Sequence, residues 1–309
     1  MDSETTAKSV QPALKIPLGR RVVLPGRGRT FVREVGTPSA DLPTLVLVHG
    51  WMASAGLNWA PVYEPLAAAG FHVLGVDLRG HGRGIRSWRR FQLEECADDI
   101  AALVRQLGCG PIIVVGYSMG GLVSQLVWQR HRDLVAGLVL CSTTQKFELG
   151  RRERYLFISL MSYGAATVRV GRGATVWYRA ARRVGAAYVR QVRPRTVQRW
   201  VRAELRRHDM RQVLEAGYAT CQFDSRPWLG AVDVPTALVV TTRDRAIHPD
   251  VQMRIARSIP TATVHTLDDD HTAFMHREFP PVLLEACREV TAKVGRAGVS
   301  SRRTTRSRY

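Results

Sequence analysis

The segment Gly116-Tyr117-Ser118-Met119-Gly120 follows an apolar run, 112–115, and precedes a helical pattern. A serine on such a strand-to-helix turn adopts a strained backbone, and small residues two positions to either side let the flanking strand and helix approach. Its hydroxyl then lies at a helix N-terminus, where the dipole favours developing negative charge. This context makes Ser118 the candidate nucleophile. An ordinary glycine-rich strand–helix turn would need no serine at its apex.

A serine at its free pKa is a poor nucleophile and needs an adjacent base, itself oriented by a third group. Where the serine sits on this kind of turn, the chain order runs serine, acid, histidine. Asp244 ends a later apolar run, 237–240, and His271 lies in the loop after the next strand, 263–267. Asp268, Asp269 and Asp270 are too close to His271 in sequence to reach behind its ring, and Glu148 is the outside alternative for the acid. His265 falls inside a strand and His276 about a helical turn beyond His271, so both read as structural. An attacked carbonyl also needs two preorganised donors for its oxyanion. The backbone N–H of Met119 supplies one, and that of Trp51, in the loop after His49-Gly50, supplies the other. The Trp51 side chain is then free to line an acyl pocket.

These residues need a scaffold. Thr44–Val48 is almost wholly apolar, as suits a central strand buried on both faces. Segments 21–24 and 30–35 read as two strands around Pro25-Gly26-Arg27-Gly28, and 59–69 and Leu93–Leu107 as helices. Strands at 71–76, 111–116 and Val135–Cys141 alternate with them, and 119–131 is helical. This alternation predicts an α/β fold: a mostly parallel central sheet with helices on both faces. It stops after Ser142, and 145–231 shows helical stretches only, at 152–163, 175–190 and 196–218. It resumes with strand Thr236–Thr241, helix Pro249–Ser258, strand 263–267 and helix 280–294. The expected organisation is an N-terminal arm (1–18), a core (19–144 and 232–294), a helical cap inserted at 145–231 and a basic, disordered tail (295–309). Ligands bind outside the carboxyl ends of strands in such sheets. The cap should therefore roof Ser118 with Phe157, Leu160, Met161 and Trp177, helped by Leu156 and Tyr178, while its arginines face solvent.

Composition sets outer limits. Hydrophobic residues make up 45% of the 309, enough for a full core. Lysine and arginine number 45 against 26 acidic residues, a net charge of +19, and only Lys8, Lys15, Lys146 and Lys293 are lysine. No nucleic-acid module accompanies that charge, so no nucleic-acid partner is expected; weak contact with an anionic membrane surface is. Cys96, Cys109, Cys141, Cys221 and Cys287 are scattered without metal-ligand spacing and read as reduced thiols. The first residues lack the apolar segment of a signal peptide, and no apolar run reaches the roughly 18 residues of a membrane span. A cytoplasmic protein, peripheral to the membrane at most, is the expectation.

Together, His49-Gly50-Trp51, Asp77-Leu78-Arg79-Gly80-His81-Gly82, the segment 116–121, Asp244 with Pro249, and His271 resemble the α/β-hydrolase family, in its esterase and lipase-like branch with a helical cap. The likeness spans roughly residues 44–290. It implies a serine esterase acting on a hydrophobic or lipid-like carboxylic ester through an acyl-serine, with no metal or organic cofactor. It also implies a structural role for the loop 77–82. Relatives that open epoxides or remove halide carry aspartate where Ser118 stands, and proline iminopeptidase-like relatives carry an HGGPG segment absent here. Two departures from the family pattern are Asp270 before the histidine and Thr241 three residues before the acid, both often glycine. The same three residues could instead serve thioester or C–C bond hydrolysis, cofactor-free peroxidation, or, in a non-catalytic relative, ligand binding.

Overall fold

Alternation of apolar side chains across a sheet builds the centre of the molecule. The computed structural model describes residues 16–171, 177, 179 and 195–306. Strand β3 (Thr44–Val48) is buried along its whole length. Its Val46 and Val48 join one core with Leu74, Ile100 and Leu122, whereas Leu45 and Leu47 join another with Trp59, Tyr63 and Leu283. Successive strand residues point to opposite faces, so these two cores lie on the two sides of one sheet.

That sheet has eight strands: β1 (Gly19–Leu24), β2 (Gly28–Val35), β3, β4 (Val73–Val76), β5 (Ile112–Tyr117), β6 (Val135–Cys141), β7 (Thr236–Thr241) and β8 (Ala262–Leu267). Their order is β1-β2-β4-β3-β5-β6-β7-β8. The β1–β2 and β2–β4 pairs are antiparallel and every other pair is parallel. Helices α1 (Ala55–Trp59) and α2 (Tyr63–Ala68) contribute to the Leu45 core, whereas α3 (Leu93–Leu107) and α4 (Met119–Arg130) contribute to the Val46 core. Of the expected helix 59–69 only α2 is helical, and Trp59 instead ends α1. Pro61, which has no N–H to donate to a helical ladder, lies between the two helices.

Between β6 and β7 the described chain forms α5 (Arg151–Arg169), α6 (Arg195–Leu205), α7 (Met210–Gln222) and α8 (Arg226–Leu229). The expected helix 175–190 falls mostly outside the described residues, as does Tyr178. The expected helix 196–218 is broken, because the Asp209 carboxylate caps α7 by accepting the N–H groups of Arg211 (3.1 Å) and Gln212 (3.2 Å). One arginine expected at the surface is not there. Arg211 is buried and ion-paired with buried Glu215 at 2.8 Å, and it also donates to the carbonyls of Ser87 and Arg89. The counter-charge four residues along the same helix is what permits this burial.

After β7 come α9 (Pro249–Ser258) and α10 (Phe279–Arg306). The last helix runs past position 295, where a disordered tail was expected. Its first turns are docked on the sheet through Leu283, Ala286 and Val290, so each further residue extends an existing helix without a new nucleation cost. No helix among the described residues is long and apolar enough to cross a membrane.

The loop after β4 is pinned by buried polar groups. Asp77 accepts the N–H groups of Ala55 and Arg83, both at 2.8 Å, and burial raises its carboxyl to about 6. His49 accepts the Leu78 N–H at 3.0 Å, and His208, from the insertion, accepts the Gly82 N–H at 2.9 Å. The His81 ring lies between them, 5.3 Å and 5.5 Å from theirs. Burial, with repulsion among the rings, pushes all three imidazoles down to about 3. Unfolded histidine titrates near 6.5. The stability these neutral rings contribute is therefore complete above about 6.5 and is lost as pH falls toward about 3. Asp77 has the opposite sign but is one group against three. The thermal midpoint should fall steadily on acidification through that window in scanning calorimetry; a flat profile would contradict the arrangement.

Candidate active site

Strand β5 ends at Tyr117 and α4 begins at Met119, leaving Ser118 alone at the turn with φ 53° and ψ −119°. A non-glycine residue there is strained and persists only where its surroundings enforce it. The surroundings are tight. A Cβ on Gly116 would lie 2.4 Å from the Gly120 carbonyl oxygen, and one on Gly120 would lie 2.0 Å from that of Val48. Glycine at both positions is what lets β3, β5 and α4 converge on the serine.

The loops after β7 and β8 bring the other two groups to the same point. The Arg243 N–H donates to the Asp269 carbonyl at 2.9 Å and ties the loops together. His271 Nε2 lies 2.9 Å from Ser118 Oγ, and His271 Nδ1 lies 2.7 Å from Asp244 Oδ2. The Asp244 side chain is fully buried while that of His271 is partly open. Oδ1 of Asp244 accepts the N–H groups of Ala246 (2.8 Å) and Ile247 (2.9 Å), and Oδ2 accepts the Thr241 hydroxyl (2.9 Å) as well as the His271 ring. Burial pushes this carboxyl up, but His271, the Ile247 N–H and the Thr241 hydroxyl outweigh it and hold it below its ordinary value. An ionised acid accepts a proton bond at Nδ1 and so leaves Nε2 as the acceptor facing the serine hydroxyl.

The rival residues lie elsewhere. His265 pairs with Glu289 at 2.8 Å and His276 with Asp269 at 2.6 Å. Glu148 is exposed and paired with Arg254. Asp268 pairs with Arg243 at 3.1 Å, and Asp270 accepts the Thr272 N–H at 2.7 Å. Tyr117 is a residue that sequence reasoning missed. Its phenol donates to the His271 carbonyl at 3.0 Å and so anchors the histidine loop to the residue before the serine. Nothing in the sequence marks that contact, because 154 positions separate the two residues.

The loop after β3 runs beside the serine: a Cβ on Gly50 would lie 3.4 Å from Ser118 Cβ. The Gly50 N–H donates to Asn58 Oδ1 at 2.8 Å, and Met52 turns the chain with φ 58°. Trp51 follows Gly50 in this loop, and its indole N–H reaches the Val213 carbonyl of α7 at 2.7 Å. Met119 is the first residue of α4, where backbone N–H groups have no intrahelical acceptor.

The expected pocket residues divide. Phe157 meets the Trp51 ring edge-on, with centroids 6.0 Å apart. Met161 is buried in the same cluster, which also holds Leu214 and Trp177. Trp177 is fixed there by its indole N–H, which donates to Thr167 Oγ1 at 3.0 Å. Leu160 is 51% exposed and outside the cluster, as are Tyr155 and Leu156. A helix stacks positions four apart on one face; Phe157, Met161 and Ala165 occupy the face toward α7, and Leu160 is turned off it. Among the described residues no three His, Cys, Asp or Glu side chains are grouped to hold a metal ion.

A family model described as alpha/beta hydrolase fold matches residues 43–278. The pimeloyl-[acyl-carrier protein] methyl ester esterase of Chromobacterium violaceum is 30% identical over 242 residues, which cover 76% of this chain and 90% of that protein. The solved structure of an enol-lactonase from Burkholderia xenovorans has a TM-score of 0.73 at 22% identity, covering 87% of this chain and 100% of that one. A thermophilic esterase from Thermogutta terrifontis has a TM-score of 0.69 at 26% identity, covering 90% of this chain and 99% of that one. With the sheet, the serine turn and a family match over most of its length, the chain belongs to the α/β-hydrolase family.

Proposed function

We propose that the chain is a serine hydrolase that cleaves a carboxylic ester through an acyl-serine intermediate. The observation that carries this reading is the unbroken line Asp244–His271–Ser118, with hydrogen-bond distances of 2.7 Å and 2.9 Å. Ser118 Oγ attacks the ester carbonyl while its proton passes to His271 Nε2, and Asp244 stabilises the resulting imidazolium. The oxyanion takes the backbone N–H groups of Trp51 and Met119. His271 then returns the proton to the departing alkoxide, so an alcohol leaves and an acyl-serine remains. Water, deprotonated by the same imidazole, attacks the acyl-serine, and collapse of the second tetrahedral intermediate releases the acid and reprotonates Ser118.

A hydrophobic acyl group is the substrate feature that the surroundings favour. The insertion acts as a cap over Ser118, with Phe157, Met161 and Trp177 around Trp51 forming the apolar side of the pocket. The methyl ester esterase named above supports an ester bond as the target. Each buried CH₂ contributes about 0.8 kcal/mol, roughly fourfold in binding. Activity on p-nitrophenyl esters should therefore rise from acetate to the medium-chain acyl groups. Phe157→Ala should lower kcat/KM for the octanoate by about tenfold and for the acetate by less than about twofold. Equal losses on both esters would remove Phe157 from the acyl pocket, and no hydrolysis of any ester in the series would overturn the ester reading.

A further inference from the structure

Thr241 ends β7 three residues before Asp244 and is completely buried. Its hydroxyl lies 2.9 Å from Asp244 Oδ2 and 3.1 Å from Ser142 Oγ. Gln252, from α9, closes the group. Its Oε1 accepts the Thr241 N–H at 3.2 Å, and its amide nitrogen lies 2.7 Å from the Ile247 carbonyl, 3.0 Å from Thr241 Oγ1 and 3.2 Å from Asp244 Oδ2. The hydroxyl has one proton to give. A carboxylate is the stronger acceptor, because charge-assisted bonds are roughly twice as strong as neutral ones. The Thr241 proton therefore goes to Asp244, and the Ser142 hydroxyl donates in turn to Thr241 Oγ1.

Ser142 is held at a cost. It is buried at the end of β6 with φ 44°, in the left-handed region that non-glycine residues rarely occupy. That conformation places its hydroxyl against Thr241, while Tyr117, on the neighbouring strand β5, holds the His271 carbonyl at 3.0 Å.

We propose that Thr241, braced by Ser142 and Gln252, is a positioning residue that sets the proton affinity of His271 through Asp244. This rests on the serine-hydrolase reading given above. A donor on Oδ2 draws negative charge away from the oxygen that faces His271 Nδ1. It weakens the pull of Asp244 on the imidazolium and keeps the imidazole neutral, hence basic toward Ser118, to lower pH. A residue without a side-chain donor at position 241 would leave Oδ2 more negative and the imidazolium more stable. The other charged groups near His271 do not change with Thr241: Asp270 on its own loop, the Asp269–His276 pair beside it, and the exposed Arg243–Asp268 pair on the neighbouring turn.

The test is the pH profile of kcat/KM for a p-nitrophenyl ester on the full chain. Thr241→Val should move the acidic limb upward by about half to one pH unit, with KM on the plateau within about twofold of the parent. Thr241→Ser, which keeps the hydroxyl, should restore the parent limb, and Ser142→Ala should move it the same way as Thr241→Val but less. A Thr241→Val limb that overlays the parent, or a Thr241→Ser limb that follows Thr241→Val, would overturn the proposal. Should Thr241→Val fail to fold, Ser142→Ala decides, since an unmoved limb there contradicts the bracing. Failure of the underlying reading is seen separately, as full activity in Ser118→Ala.

Discussion

Ser118→Ala should lower ester turnover by three orders of magnitude or more, on the order of 10³ as a minimum. Alanine keeps the strained turn, since Gly116, Gly120 and Val48 enforce it without the hydroxyl. What disappears is the atom 2.9 Å from His271 Nε2, and with it the covalent route. Residual rate would come from the oxyanion donors and from substrate binding, which the variant retains. The melting temperature should change little, because one hydroxyl bonded to a partly open histidine holds no part of the core. Turnover within tenfold of the parent would mean that another group attacks the ester.

Asp244→Asn should cost about 10⁴ in turnover, and the geometry gives the reason. Oδ1 accepts two backbone N–H groups, from Ala246 and Ile247. The asparagine oxygen must stay there, so its NH₂ group replaces Oδ2. That nitrogen would face His271 Nδ1, the Thr241 hydroxyl and the Gln252 amide, all of which donate to Oδ2 in the parent or lie within reach of it. To avoid opposing donors, the imidazole must move its proton to Nε2, where it points at Ser118 and cannot accept the serine proton. The opposed amide of Gln252 should also lower the melting temperature. Glu148→Gln is the control: its carboxylate is exposed and pairs with Arg254, and the variant should retain parent activity. Reversal of the two results would assign the acid role to Glu148.

Much of this was legible in the sequence because the relevant signals are local. β3 and β5 are buried on both faces and so appear as unbroken apolar runs. The serine turn carries its own glycines, and Asp244 and His271 follow strands whose ends are marked by a change from apolar to polar residues. The signals that failed depend on partners distant in sequence. Asp209 interrupts a stretch of good helix formers because its carboxylate caps α7, and an interior aspartate looks no different from a capping one until the helix ends are known. Arg211 is buried because Glu215 and the carbonyls of Ser87 and Arg89 receive it, and no sequence count predicts that reception. The contact of Thr241 with Ser142 joins the ends of two strands, and that of Tyr117 with the His271 loop spans from β5 to the loop after β8; both are visible only once the sheet is assembled. Thr241 was visible as a departure from the family pattern, but not what its hydroxyl touches.

The most direct test of the central claim is the site of covalent capture. A fluorophosphonate probe requires a serine made nucleophilic by its surroundings, and its adduct can be located by peptide mass spectrometry. One adduct per chain is expected, on the peptide carrying Ser118, with no labelling of Ser118→Ala. An adduct on any other residue, or undiminished labelling of Ser118→Ala, would contradict the account.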